Sequence, residues 1–173
     1  PLIPKENYEY LNPLFADDFA KDLDEIGSLY FSEEVFDGTY PGYGSSYPDL
    51  QGSLALLFEQ ASSRGHRQKT AFGEITFPFT IRNHYITSLT TIKTAIENKV
   101  YLRKYQQKFF KSALTNAADS RVEGYSFGDP EDENRTKAFI DKLLLHKIDV
   151  YENNARYVVP TNQPQYRMIQ NVF

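Results

Sequence analysis

The stretch LALLFEQ, residues 54–60, decides which fold class this sequence favours, because it is apolar at almost every position until it reaches Glu59. A run that is apolar without alternation is typical of a strand buried on both faces of a sheet. We therefore predict a strand over residues 52–60, which turns away at residues 60–65, QASSRG. Because Glu59 ends this run, we expect its carboxylate to be at least partly buried.

The sequence before this stretch predicts one helix and one ordered loop. In residues 4–28, apolar side chains recur at the spacing of one helix face, and Gly27 supplies a stop. This face comprises Phe15, Phe19, Leu23 and Ile26. Residues 37–49 are rich in Gly, Pro, Ser and Tyr, a composition that excludes a regular helix or a central strand. We expect an ordered surface loop there.

The sequence after this stretch predicts a short strand over 73–76 and a long helix over 78–116. Pro78 suits the first turn of that helix. Its apolar face consists of Ile81, Tyr85, Leu89, Ile92 and Ile96, continued by Val100 or Leu102. The pattern changes phase near Asn98, and one unbroken helix of this length would be unusual in a globular protein. The pattern leaves two alternatives: one continuous long helix, or a helix that breaks near Asn98.

Residues 119–173 are predicted to form a separate unit. Strands are expected at 122–127, 148–151 and 157–159, with a helix at 131–146. This order indicates the opening of a second α/β domain, so we divide the chain into regions 1–118 and 119–173. We interpret the chain as a piece of a longer protein, because it opens on Pro1 and stops just as another helix begins near Gln163. The predicted fold class is α/β.

Composition limits the classes of partner. The formal net charge of −4 and the sequence pI of about 5.4 do not resemble the basic footprint of a nucleic-acid-binding protein. The sequence has no cysteine, which excludes disulfides, thiolate catalysis and cysteine metal sites. No run of about 18 apolar residues occurs, so no membrane span is predicted.

Motifs for metal binding and for nucleophilic catalysis are absent from the sequence. The histidines are His66, His84 and His146; none begins a His-x-x-Glu, and no two lie one helical turn apart. A catalytic zinc site needs three converging protein ligands, so we predict no metal ligand in this chain. Neither a Gly-x-Ser-x-Gly elbow nor a glycine-rich phosphate loop is present.

Glu59 is the remaining candidate for chemistry. A carboxylate that is buried without a partner holds its proton more readily, because the charged form has lost its solvation. Such a group can act as a general base near neutral pH. In the alternative, Glu59 forms a buried ion pair with Arg64 or with another cation. The residues by themselves leave both interpretations open.

Two stretches resemble the second half of the catalytic domain of zinc metallocarboxypeptidases: YPGYGSSYPD, residues 40–49, and LALLFEQASSRG, residues 54–65. In that family a tyrosine loop, a Gly-Ser-rich turn with an Asp, a central strand with the catalytic glutamate and a C-terminal helix follow in this order. The resemblance covers about residues 1–116 and is closest to large bacterial members. It implies a partial, mixed, doubly wound sheet with a long C-terminal helix.

The resemblance also implies roles for individual residues. Glu59 stands where the general base and acid of the family stands, which takes a proton from the zinc-bound water and passes it to the leaving amine. Tyr40 matches the loop tyrosine that closes over bound substrate, and Tyr43 is a close competitor for that role. Tyr47 falls near the position that shapes the specificity pocket. Asp49 matches an Asp of the loop in order only, and no role follows for it.

The zinc ligands of the family, and the arginine that binds the terminal carboxylate of the substrate, belong upstream of this segment. We therefore expect zinc and peptide hydrolysis in the longer protein, and an isolated chain that is inactive. By the same resemblance the longer protein is expected to be exported or periplasmic. The region 119–173 is similar to the start of a glutamine-amidotransferase-like domain. Half a sheet would expose an apolar surface, so the isolated chain is expected to self-associate.

Two other classes of function are compatible with the sequence. The longer protein could be a noncatalytic binding protein that uses a carboxypeptidase scaffold to hold peptides or glycans. Alternatively, the tyrosine-rich loop could belong to a structural module that contacts glycans or cell-wall peptides, because tyrosine combines a large ring with a polar hydroxyl.

Overall fold

The computed structural model describes residues 2–31, 40–154 and 156–173. These residues form a mixed α/β structure with two small antiparallel sheets. The helices are α1 (Asn12–Glu25), α2 (Phe77–Glu97), α3 (Lys99–Ala118), α4 (Glu133–Leu145) and α5 (Tyr166–Val172). The strands are β1 (Arg67–Thr70), β2 (Gly73–Thr76), β3 (Gly124–Phe127), β4 (Tyr151–Asn153) and β5 (Arg156–Pro160). A π-helical turn (Asn7–Leu11) precedes α1, and a 3₁₀ turn (Asp49–Gln51) follows the tyrosine loop.

The first predicted helix is confirmed by α1 and the π-helical turn before it. Phe15, Phe19 and Leu23 are buried on one face of α1, as their spacing predicts. The helix ends at Glu25, and Gly27 follows with a φ of 64°. That left-handed conformation costs little for glycine, so Gly27 is the expected stop.

The predicted long helical region is present, and of the two alternatives the structure has the break near Asn98. It divides into α2 and α3, which meet at Asn98. Thr76 caps α2, since its hydroxyl accepts a hydrogen bond from the backbone N–H of Phe79. The strand predicted at 73–76 is β2, which pairs antiparallel with β1 to form a hairpin directly before α2.

The side of α2 that faces the protein is its polar side. Asn83, Thr87, Thr90 and Thr94 are buried, and α1 is the helix that packs against them. The Thr94 hydroxyl donates to the Asp18 carboxylate at 2.5 Å, and the Thr90 hydroxyl donates to that of Asp22. The predicted apolar face exists, but it is exposed; it consists of Ile81, Tyr85, Leu89, Ile92, Ile96 and Val100.

The strand predicted over residues 52–60 is wrong. Residues 54–63 belong to neither a helix nor a strand, and Leu57, Phe58 and Glu59 are exposed. Among the described residues, no backbone–backbone hydrogen bond involves residues 54–62. A strand needs a neighbour to pair its backbone groups, and the described sheets leave this segment without one.

The second region contains the predicted helix and strands in a three-stranded antiparallel sheet. The strand order is β3-β5-β4, so β5 is central, and α4 connects β3 to β4. The strand predicted at 148–151 begins later, at Tyr151. Ile148 instead lies in the core, where it is 1% exposed.

The main apolar core joins the two predicted regions. Leu50, from the first region, packs in one cluster with Leu143, Ile148, Val159, Met168 and Ile169. Arg167 adds a polar tie, since its guanidinium donates to the carbonyl of Phe109 at 2.6 Å and to the Ser112 hydroxyl at 3.0 Å. Its charge also lies 4.5 Å from the centre of the Phe109 ring, a favourable cation–π distance. These contacts hold α5 against α3.

We predict that Thr94→Val lowers the free energy of unfolding by about 1–2 kcal/mol, because the Asp18 carboxylate loses its donor while the shape of the side chain is kept. Urea unfolding measures the change. Thr115→Val is the matched control, since Thr115 is exposed on α3 and is expected to cost under about 0.5 kcal/mol. Equal effects of the two substitutions would contradict a stabilising polar interface between α1 and α2.

Candidate functional site

The tyrosine loop carries two of the predicted site residues on the surface. The rings of Tyr40 and Tyr43 meet edge to face, with centroids 4.9 Å apart, and their side chains are 55% and 51% exposed. A Cβ at position 42 would overlap the Tyr40 ring where it now lies, so a side chain there would displace that exposed ring. Of the predicted loop 37–49, residues 37–39 lie outside the described residues.

The backbone of the loop is held by consecutive turns. The N–H groups of Ser46 and Tyr47 donate to the Tyr43 carbonyl at 3.1 and 2.9 Å, and the N–H of Leu50 donates to the Tyr47 carbonyl. The Tyr47 hydroxyl lies 3.1 Å from Nδ1 of His146, just after α4. Tyr47 therefore joins the loop to the second region. The sequence placed Tyr47 near a specificity pocket and did not predict this contact.

Asp49 connects the loop with two other segments. Its Oδ1 accepts a hydrogen bond from the backbone N–H of Ala55 at 3.0 Å and from Nδ2 of Asn7 at 3.1 Å. Burial raises the pKa of the Asp49 carboxyl group, and the two donors oppose that rise. The sequence assigned no role to Asp49, because contacts between residues 42 positions apart leave no local pattern.

Glu59 is exposed, so the expected partial burial is wrong. The reason is that its segment has no strand neighbours to cover it within the described chain. The alternative, an ion pair with Arg64, does not form either; in the described residues Glu59 has no ion pair and no hydrogen bond. The carboxylate is therefore open to solvent and unrestrained by a cation.

The segment around Glu59 is held by its neighbour, Gln60. The Oε1 of Gln60 accepts a hydrogen bond from Nδ2 of Asn83 on α2 at 3.1 Å, and the same Nδ2 donates to the Ser28 hydroxyl at 2.9 Å. Phe58 packs edge to face on Phe19 of α1, with centroids 4.7 Å apart. Within the described part, no hydrogen bond or ring contact joins Glu59 to Tyr40 or Tyr43.

The described residues do not form a metal site. No group of three or more His, Cys, Asp or Glu side chains in residues 2–31, 40–154 and 156–173 could hold a metal ion. His66 is stacked on Phe77, His84 is exposed, and His146 contacts Tyr47. A zinc site does not fit these residues.

A polar cluster near the start of the chain consists of Glu6, Tyr101 and Lys108. The Glu6 carboxylate accepts hydrogen bonds from the Tyr101 hydroxyl and from Nζ of Lys108, both at 2.6 Å. The bonds from Lys108 and Tyr101 lower the pKa of Glu6. Burial and the bond to Glu6 raise the pKa of Tyr101 to about 12. The cluster ties the start of the chain to α3.

In comparisons with protein-family models, with curated proteins and with solved structures, the chain has no significant match. Within the described residues, no helix combines the length and the apolar character needed to cross a lipid bilayer.

The lowered pKa of Glu6 predicts a stability that depends on pH. The folded state holds the ionised form more strongly than the unfolded state does, whose pKa is about 4.3. The contribution is therefore present above that value and is lost as the pH falls through the folded pKa. We expect Glu6→Gln to lower the Tm at pH 6, and to lower it by much less at pH 3.

Thermal unfolding at both pH values measures this difference. Glu9→Gln is the matched control, because Glu9 lies on the same segment in an exposed pair with Lys5 at 3.7 Å. It is expected to change the Tm little at either pH. If Glu6→Gln has the same effect at pH 6 and at pH 3, the ionised Glu6 does not stabilise the fold.

Proposed function

We propose that the chain is part of a zinc metallocarboxypeptidase, and that Glu59 is its proton-transferring carboxylate in the hydrolysis of C-terminal peptide bonds. The order of features along the chain carries the proposal: the tyrosine loop 40–49, the Glu59 segment and then the long helix α2. This order matches the resemblance described above. Peptides with a free terminal carboxylate are the proposed substrates, and an exported or periplasmic protein is the proposed setting.

The exposed face of α2 supports the proposal. This face is apolar over the whole length of the helix. Beside it lies a shallow groove between α1 and α2, whose lining includes Ile26 and Ile86. A soluble protein rarely leaves a patch of this extent uncovered. In the resembled family the corresponding helix packs across a sheet, and such a sheet would bury this face.

The segment 54–60 supports the proposal in the same way. Its side chains are mainly apolar, and its backbone groups have no backbone partners in the described residues. Neighbouring strands from a longer protein would supply those partners and complete a mixed, doubly wound sheet. Glu59 would then lie at the end of a central strand.

The zinc ligands would come from sequence before this segment, since the described residues do not form a zinc site. We therefore propose that the isolated chain hydrolyses nothing. We propose further that region 119–173 begins a glutamine-amidotransferase-like domain. The same exposed apolar surface would make the isolated chain self-associate.

The exposed pair of Tyr40 and Tyr43 favours a second candidate. Two aromatic rings at the surface, each with a polar hydroxyl, suit the binding of peptides or glycans without any catalysis. In this case the longer protein would be a binding protein on a carboxypeptidase scaffold.

The test compares the longer protein with the 173-residue chain in zinc content and in the hydrolysis of peptides with free or amidated C-termini. We expect about one zinc per longer protein, cleavage that requires the free carboxylate, and no activity of the chain alone. Glu59→Gln should lower kcat by at least about 100-fold, because the proton transfer is lost.

Glu97→Gln is the matched control, since Glu97 is an exposed glutamate at the end of α2 and should leave kcat unchanged. A zinc-containing longer protein in which Glu59→Gln retains full activity would overturn the role of Glu59. A longer protein without zinc or activity, but with micromolar affinity for peptides or glycans, would favour the binding function.

A further inference from the structure

We propose that Asp49 and Asn83 are positioning residues that hold the Glu59 segment at its two ends. This inference rests on the proposed function, because positioning matters only if Glu59 transfers a proton. Asp49 binds the backbone N–H of Ala55, and Asn83 binds the side chain of Gln60. Glu59 lies directly beside the second of these anchors.

Asn7, the side chain that binds Asp49, is itself held by hydrogen bonds to three other residues. Asn7, which binds Asp49, also donates to the carbonyl of Ser53 at 3.0 Å and lies 3.3 Å from the Tyr105 hydroxyl. Nδ2 of Asn12 donates to Oδ1 of Asn7 at 2.7 Å, which orients the Asn7 carboxamide with its donors toward Asp49. Asn7 is 2% exposed, so water competes little for these bonds.

The residue that carries this carboxylate comes at the end of the tyrosine loop. Asp49 opens the 3₁₀ turn that follows the loop, and the next residue, Leu50, is 1% exposed in the main core. From Leu50 the hydrogen-bonded turns lead back through Tyr47 to the carbonyl of Tyr43. Asp49 thus lies between the turns of the tyrosine loop and the segment that leads to Glu59, and its side chain binds the start of that segment.

The Asn83 anchor comes from the buried polar side of α2. Asn83 is 6% exposed, and its Nδ2 donates to both the Gln60 carboxamide and the Ser28 hydroxyl, so the bond to Ser28, just after α1, orients the group that holds Gln60. The buried polar side of α2 therefore packs on α1 and, through Asn83, also binds Gln60, the residue next to the proposed catalytic glutamate.

Amide hydrogen exchange in the 173-residue chain tests the Asp49 anchor without any need for activity. Asp49→Ala should raise the exchange rate of the Ala55 amide about tenfold more than it raises that of the core of α3, because the amide loses its acceptor. Asp49→Asn keeps an oxygen at the same place and should restore most of the protection. Asp132→Ala is the control, since it removes an equivalent acceptor of a backbone N–H at the start of α4.

The Asn83 anchor is tested in the same way. Asn83→Ala should shift the NMR signals of the Gln60 side-chain amide and raise the mobility of residues 56–60, whereas Asn98→Ala should not. Asn98 is a suitable control because its carboxamide is also bonded, to the Thr94 carbonyl at 2.9 Å, but lies at the far end of α2. If either anchor variant matches its control, the proposal is overturned.

Kinetics of the longer protein separate positioning from mere stability. Asp49→Ala and Asn83→Ala should each lower kcat about tenfold with KM within about twofold, and Asp49→Asn should recover most of the loss. An unchanged kcat, where Glu59→Gln is inactive, would overturn positioning. Inactivity of Glu59→Gln tests the proposed function separately, and a Glu59→Gln variant with full activity would remove the catalytic meaning of both anchors even if the exchange results hold.

Discussion

The hydroxyl groups of Thr90 and Thr94 donate to the carboxylates of Asp22 and Asp18, and these bonds fix which side of α2 faces the protein. The two hydroxyls are buried and the two carboxylates half-buried, and a buried hydroxyl without a partner is costly, so these bonds stabilise the packing of the polar side of α2 against α1. The rotation of α2 about its axis then follows. Its apolar side chains point outward, and Asn83 points toward Gln60.

Two parts of the described chain lack neighbours that they would be expected to have. The apolar face of α2 lacks a covering layer, and residues 54–62 lack backbone partners within the described chain. A sheet from a longer protein would satisfy both at once, because its face would cover the helix and its strands would pair with the segment. A carboxypeptidase scaffold would supply such a sheet whether or not the longer protein is catalytic, so zinc content and hydrolysis are the measurements that separate the two proposed functions.

Local patterns in the sequence predicted the helices well. The four-residue spacing of Phe15, Phe19 and Leu23 defined α1 and its buried face, and the change of phase at Asn98 located the junction of α2 and α3. The strand at 52–60 could not be predicted correctly, because an apolar run reports a preference for burial and not the presence of a neighbour to pair with. For α2, the pattern identified an apolar face but could not tell what covers it.

In the candidate site too, local features could be predicted and contacts between distant residues could not. The sequence drew attention to Glu59, Tyr40 and Tyr43, whose order along the chain is a local property. Asp49 was named without a role and Asn83 was not named, because their contacts with Asn7 and Gln60 join residues that lie far apart in sequence. Charge pairing was equally unpredictable: Arg64 is near Glu59 in sequence, yet the described structure forms no ion pair between them.

Cysteine labelling can measure the orientation of α2, because the sequence contains no cysteine of its own. Single-cysteine variants Ile92→Cys and Thr94→Cys would be reacted with a thiol reagent at low protein concentration under native conditions. Ile92 is 57% exposed and Thr94 is 1% exposed. We expect the thiol at position 92 to react at least about tenfold faster than the thiol at position 94. If the thiol at position 94 reacts as fast or faster, the polar side of α2 does not face α1.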